Sequence, residues 1–425
     1  MTRLLIYLFP AIMDMVLALS IFVCTVRAAR EFQLDAVWVG SMLAAWGVAY
    51  MVGCPIVGRI MNRKNASRLL IGSCLAGTVL AGAFTLISGV AAMFVGMVLM
   101  GTIAAFFFGP FQIFMAAVDE GGDKPLTFST GMYTFSWSMG FAAGPFVAAA
   151  FTTLGEWMDG GKAGVLFDSL RWLGQLLYGP EGARGWQFSY LFAIVMLLLN
   201  AAGIAFLASH AHPKEEDADA VAKPAAGHDY SRQPNYALYA CIGAGVGIFA
   251  IQMIRGVFPK FSDPSVLDLP ERDQGMIFCL LSLVQAFVGL ALCWSKTWMY
   301  RIAPVVGVGV FGVIGLLCLG LGTTMPVFLV GAASYGVYSG CFFFYFVFHA
   351  IAHPDKAPQQ VGFNESMVGV MGIVAPFLGG LAADKLGMSS PFVICAVLVV
   401  LALGFQAWVH RRGFVKVDEV RAAAD

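Results

Sequence analysis

The sequence predicts an all-α polytopic membrane protein whose twelve transmembrane helices form two pseudo-symmetric six-helix bundles. Composition predicts the membrane: 59% of the 425 residues are hydrophobic and only 12% are charged, half the charge of an ordinary soluble domain. Apolar stretches of about 20 residues predict the helices, because a bilayer core about 30 Å thick needs that much helix per crossing and offers no partner to an open strand. Repetition of the first half in the second predicts the symmetry. So little charge rules out a soluble enzyme and so much apolar residue rules out a disordered chain. The balance of 25 Lys and Arg against 25 Asp and Glu leaves no basic field for a nucleic acid. The nine cysteines stand singly with no CxxC spacing, so they read as small core residues, without disulfide or zinc site.

Taken in order, the spans fall at about 4–27, 36–58, 69–88, 91–118, 128–152, 187–208, 236–258, 274–294, 302–322, 326–352, 361–386 and 391–410. The first follows Met-Thr-Arg as a signal peptide would. It is too long for one, contains Asp14 and lacks a small-residue cleavage pattern before Arg27, so it is expected to be retained. Placing the N-terminus in the cytoplasm gathers sixteen of the 25 Lys and Arg on that side, which sets both termini on the cytoplasmic face of the inner membrane. Residues 1–208 are then the N-terminal bundle, 209–235 a charged, Ala/Pro-rich cytoplasmic linker, 236–410 the C-terminal bundle and 411–425 a cytoplasmic tail. The outer loop 153–186 carries VLFDSLRWLGQLLY (165–178). Its apolar residues recur at helical spacing, predicting a helix lying in the membrane interface with Trp172 and Tyr178 at headgroup level.

Sliding the chain on itself by 235 residues aligns Gly40 with Gly275, Gly72 with Gly307, Gly101 with Gly336, Phe107 with Phe342 and Phe111 with Phe346. A shift of 231 brings Gly144-Pro145-Phe146 onto Ala375-Pro376-Phe377, and one of 228 brings Arg27 onto Arg255. Single Gly or Phe matches arise by chance; their order over several helices, with shifts changing only in loops, indicates duplication. Six spans, a linker and six similar spans make a parallel repeat about an axis along the membrane normal. Such an architecture places a central site between the halves and works by rocking one against the other.

The loop between spans 2 and 3, Gly58-Arg-Ile-Met-Asn62-Arg63-Lys-Asn65-Ala-Ser-Arg68, resembles the G-x-x-x-[DN]-R-x-G-[RK]-[RK] signature of the major facilitator superfamily. Gly58, Asn62 and Arg63 match, Asn65 replaces the glycine, and the trailing basic pair survives as Arg68. Gly140-x-x-x-Gly144-Pro145 in span 5 is similar to a G-x-x-x-G-P motif found in part of that superfamily. The resemblance implies a secondary transporter working by alternating access, with Gly58, Asn62, Arg63, Arg68, Gly144 and Pro145 in conformational gating. In the family this loop braces the outward-open state through a charge network, which Asn62 would weaken.

Ionisable groups inside the membrane are costly and hence candidates for function. Asp14, near mid-span in the first helix, is read as a proton-coupling carboxylate, or as an acid satisfied by neighbouring groups. Arg27 and Arg255, related by the repeat, could clamp a carboxylate or phosphate between forked guanidiniums; the pair looks like that of organophosphate antiporters of the superfamily. Alternatively they are interfacial, the commoner role at helix ends, with Arg27 pairing to Glu31. Glu365 is a second proton candidate, or lies at the cytoplasmic interface. Gln112, Gln252 and Gln285 are candidates for the cavity lining, or glue between helices. The aromatic run 342–349 offers stacking walls, with Tyr338 and Tyr345 supplying hydroxyls, though Phe at this density more often packs or faces lipid. Asp384 and Lys385 are expected to pair locally. His349 and His353 share a helical face but have only Asp355 near them, too few ligands for a metal.

These readings converge on a carrier for a small solute, an organic anion if the arginines clamp it and a sugar or amphipathic drug if the aromatics line the site. A proton is the expected coupling ion, and a monomer in the lipid bilayer needs no cofactor or metal. No GxxxxGK[ST] loop occurs, which argues against ATP-driven pumping. A membrane-embedded transferase or a sensor is the alternative class; the first would want an acidic or histidine cluster, and the second no central cavity.

Overall fold

Thirteen α-helices and no strand occur among the described residues of the computed structural model, which are 5–62, 64–119, 126–159, 164–178, 182–210, 237–295, 298–299, 301–351 and 357–413. The first half contains α1 (Leu8–Arg30), α2 (Ala36–Ile60), α3 (Ala66–Phe84), α4 (Val90–Asp119), α5 (Leu126–Asp159), α6 (Val165–Tyr178) and α7 (Gly185–His210). The second contains α8 (Ala237–Phe261), α9 (Glu271–Ala291), α10 (Ile302–Leu321), α11 (Met325–Ile351), α12 (Ala357–Leu386) and α13 (Ser390–Gly413). All but α6 are long and apolar enough to cross a membrane, so the chain is a twelve-span, multi-pass membrane protein. Arg63, the linker from 211 onward, His353, Asp355 and the tail beyond 413 lie outside the described residues.

Helix packing repeats along with the sequence. In the first half α1 packs on α5, α2 on α4, and α3 on both α4 and α7; in the second α8 packs on α12, α9 on α11, and α10 on both α11 and α13. Each pair maps onto its counterpart by the duplication. The halves meet along two lines, α2 on α12 and α5 on α9, which the same operation interchanges.

Glycines and prolines make that seam close. Pro145 and Pro376 lie inside α5 and α12, a tolerated place in membrane helices because neighbours re-satisfy the freed backbone groups. A Cβ on Gly275 would lie 2.9 Å from the Pro145 carbonyl oxygen, and one on Gly40 would strike the Pro376 carbonyl. Repeat-matched glycines thus receive repeat-matched prolines from the opposite half. Small residues at such crossings let backbones approach directly.

Helix alternation puts Leu8, His210, Ala237 and Gly413 at one end of the bundle, the near end, and the α1–α2 and α8–α9 connections at the far end. The far end is closed. Arg30 Nη2 donates to the carbonyls of Ser262, at 3.1 Å, and of Leu269, with Nη1 3.9 Å from Glu271 Oε1. The acceptors belong to a tight turn in which Asp263 Oδ1 accepts from the Ser265 N–H and hydroxyl at 3.0 and 2.5 Å. Asp384, at the end of α12, accepts from the free N–H groups of Ala36 and Val37 at 3.0 and 2.9 Å. Its partner is therefore the start of α2, not Lys385 as its sequence neighbourhood suggested. A carboxylate there satisfies orphan donors and meets the positive end of the helix dipole.

The fifth crossing is longer than its apolar run. Beyond 152 the helix continues to Asp159, and there Gly155 packs directly on Gly185, 2.9 Å from Gly185 Cα at the position of a Cβ. In α6, Trp172, Leu176 and Leu177 are exposed, and Asp168 pairs with Arg171 at 3.3 Å.

Candidate functional site at the seam

Asp14 is buried in α1. Packing fixes its direction, since a Cβ on Gly140 of α5 would lie 2.8 Å from Asp14 Cβ, and one on Gly144 2.5 Å from the Met15 carbonyl. The Gly140/Gly144 spacing therefore docks α5 on α1 against the Asp14 side chain. Asp14 Oδ2 has no hydrogen-bond donor, and the charge within its electrostatic reach is Arg255 of α8.

Arg255 lines a narrow crevice between the halves, together with Phe22, Thr25, Phe141 and Ser282. Its guanidinium carbon stands 3.9 Å from the centre of the Phe141 ring, a cation–π contact. Among the described residues it makes no ion pair. Three turns of apolar helix precede it, and desolvating a guanidinium there is costly unless something anionic arrives.

Arg27 is placed differently from its repeat mate. Its Nε and Nη2 donate to Glu31 at 2.7 and 3.2 Å, and Nη1 donates to the Ile87 carbonyl at 3.2 Å. The guanidinium carbon lies 3.9 Å from the Trp186 ring centre. It lines a second crevice with Arg30, Glu31 and Glu271, separate from the first except that Phe22 borders both. The structure thus does not bring the two arginines into one cavity.

Glu365 of α12 reaches across the seam. Tyr50 Oη of α2 donates to its Oε2 at 2.7 Å, and Gln112 Nε2 of α4 donates to its Oε1 at 3.2 Å. Tyr133 of α5 lies within electrostatic reach of both Glu365 and Asp14. Gln252 is buried, its Oε1 without a donor, and it flanks Gly372 opposite Trp46, whose Nε1 has no acceptor. Gln285 Nε2 donates to Ser138 Oγ at 2.8 Å, joining α9 to α5. Tyr338 and Tyr345 are turned inward within their own half: Tyr338 Oη donates to the Gly243 carbonyl at 3.4 Å, and Tyr345 stacks on Trp298 with centroids 4.9 Å apart.

In the near-end loop, Asn62 Oδ1 accepts from the N–H groups of Lys64 and Asn65 at 2.9 and 3.0 Å. Asn65 returns the favour, its Oδ1 accepting from the Asn62 N–H at 2.7 Å. Two asparagines thus close the turn locally. Gly58 has open space around it, and Arg68 is exposed.

Arg30, Tyr50, Trp46 and Tyr133 escaped the sequence reading. Arg30 could have been suspected as a second arginine one turn after Arg27. The other three are aromatics among many, and no local pattern marks which of them face a carboxylate.

The fold and its relatives agree. No curated protein matches the chain. The human organic anion transporter MFSD10 (TETRAN) superposes with a TM-score of 0.62 at 14% identity, covering 95% of this chain and 99% of its own. A bacterial homologue of the human lysosomal transporter Spinster superposes in two inward-facing crystal structures. The occupied one gives a TM-score of 0.65 at 14% identity over 98% of this chain and 96% of its own. The unoccupied one gives 0.67 at 15% identity over 98% of each chain. At such identities these likenesses speak for the fold alone. The sequence model of the Major Facilitator Superfamily matches residues 3–352, and with twelve spans in two repeated halves around a polar seam, the chain belongs to that superfamily of transporters.

Proposed function

We propose that this protein carries an organic anion across the cytoplasmic membrane by alternating access, with both termini in the cytoplasm and Asp14 bearing the coupling proton. The observation that carries the reading is Arg255: a guanidinium without an ion pair, lining a crevice between the two halves. A planar fork in such a place suits a carboxylate or phosphate. Because Arg27 is committed to Glu31, Ile87 and Trp186, the anion is assigned to Arg255 alone. Asp14 suits the proton because a buried carboxylate oxygen without a donor is cheapest to keep when protonated. One chain supplies both walls of the crevice, so a monomer suffices.

Solute-induced thermal shift of the purified protein, across organic phosphates, carboxylates, sugars and cationic drugs, tests the assignment. Phosphates or carboxylates should stabilise the wild type, and Arg255→Ala should weaken their binding by about tenfold or more, the worth of a lost charge-assisted hydrogen bond. A full anion response in Arg255→Ala would remove the arginine from the site. In proteoliposomes, Asp14→Asn should keep solute exchange and lose acceleration by a pH gradient. Undiminished proton dependence would release Asp14 from the mechanism.

A further inference from the structure

Glu365 is a carboxylate with hydrogen-bond donors and, among the described residues, no ion pair. Each of its oxygens accepts one hydrogen bond, from Tyr50 Oη at 2.7 Å and from Gln112 Nε2 at 3.2 Å, and a carboxylate keeps further lone pairs for another donor. The groups facing it are Tyr50 and Cys54 from α2, Gln112 from α4 and Tyr133 from α5. No Lys or Arg stands among them. Aromatic rings wall the place: Tyr50 stacks on Trp46 with centroids 5.1 Å apart, and Tyr133 on Phe111 at 6.2 Å. A carboxylate among aromatic side chains is a setting that suits an alkylammonium group.

Its place relative to Arg255 sets the rest. Gly372 of α12 and Gln252 of α8 are neighbours across the seam. Glu365 lies two turns from Gly372 toward the near end, and Arg255 about one turn from Gln252 toward the far end. At 1.5 Å of rise per residue the two charged residues are about 15 Å apart along the membrane normal, before their side chains lean together. They have opposite signs, and neither makes an ion pair among the described residues. We infer that Glu365 with its aromatic neighbours is a second binding subsite, for an ammonium group, and that the carried solute is a zwitterion with a spacer between its anionic and cationic ends. The inference rests on the assignment of the anion to Arg255.

The probes are alkyl carboxylates and alkyl phosphates of rising chain length, each compared with the same molecule bearing a terminal amine. Binding is read by calorimetry on the full-length protein. Long amine-terminated chains should bind wild type about tenfold tighter than their methyl-terminated counterparts, and short ones should show no such gain. Glu365→Gln should erase the preference for the amine while leaving binding of the plain anion in place, which also reports that the variant is folded. Equal affinity for the two series, or a preference that survives in Glu365→Gln, would overturn the ammonium subsite and leave Arg255 untouched. Plain anions that bind Arg255→Ala as well as wild type would instead overturn the anion assignment on which it stands.

Discussion

Arg27 and Arg255 show how far identical side chains at repeat-related positions can diverge. The first is satisfied by Glu31, a backbone carbonyl and an indole; the second has a phenyl ring and an open crevice. Hydrogen bonds from Arg27 hold the Glu31 carboxyl below the usual carboxylate range, with the Arg184 charge adding to the effect. A lowered value means that this pairing contributes stability above the ordinary carboxylate pKa and loses it as pH falls through the lowered one. Arg27→Ala is expected to destabilise the protein by about 1–3 kcal/mol at neutral pH and to flatten the acid limb of its melting temperature between pH 6 and pH 3 (roughly the span over which carboxylates titrate). A melt series with an unchanged acid limb would contradict it. The Arg27–Glu31 pair was legible from its one-turn spacing. Trp186 was not, because nothing in a sequence says which distant indole will arrive beneath a guanidinium.

At the scale of helices, the repeat predicted which glycines correspond but not which of them touch anything. Gly40 and Gly275 each meet a proline carbonyl of the other half, and Gly101 and Gly336 meet the carbonyls of Trp46 and Leu281, themselves repeat mates. Gly72 and Gly307 are equally well matched and have open space around them. Gly275→Val is therefore expected to cost about 1–3 kcal/mol through overpacking. Gly307→Ala should be neutral or stabilising by about 0.5–1 kcal/mol, the ordinary penalty of a mid-helix glycine. Detergent-solubilised thermal melts separate the two, and equal shifts would mean that the seam is looser than its backbone contacts imply. Hydropathy made the twelve crossings readable. It missed the last two turns of α5, since Thr152–Asp159 is polar for a span; there Gly155 packs directly on Gly185.

For the molecule as a whole, the far end is held by two unlike clasps: Arg30 on the α8–α9 turn and Asp384 on the start of α2. Both join one half to the other, so the proposed alternating access requires both to part. Arg30→Ala combined with Asp384→Asn should shift the population toward a far-open form. Spin labels at the exposed positions Trp38 and Val266, with native cysteines replaced, should report a longer distance; an unchanged distribution would show the closure to be maintained elsewhere. The sequence revealed the two-bundle architecture through its duplication but not these clasps, whose partners are backbone groups that carry no residue signature. One side chain gives the closed end a further meaning. Phe22, set edge-on against Phe278 with centroids 6.2 Å apart, borders the Arg255 crevice on one side and the Arg27–Arg30 crevice on the other. Phe22 is the one lining side chain the two crevices share, so Phe22→Ala is the truncation expected to join them.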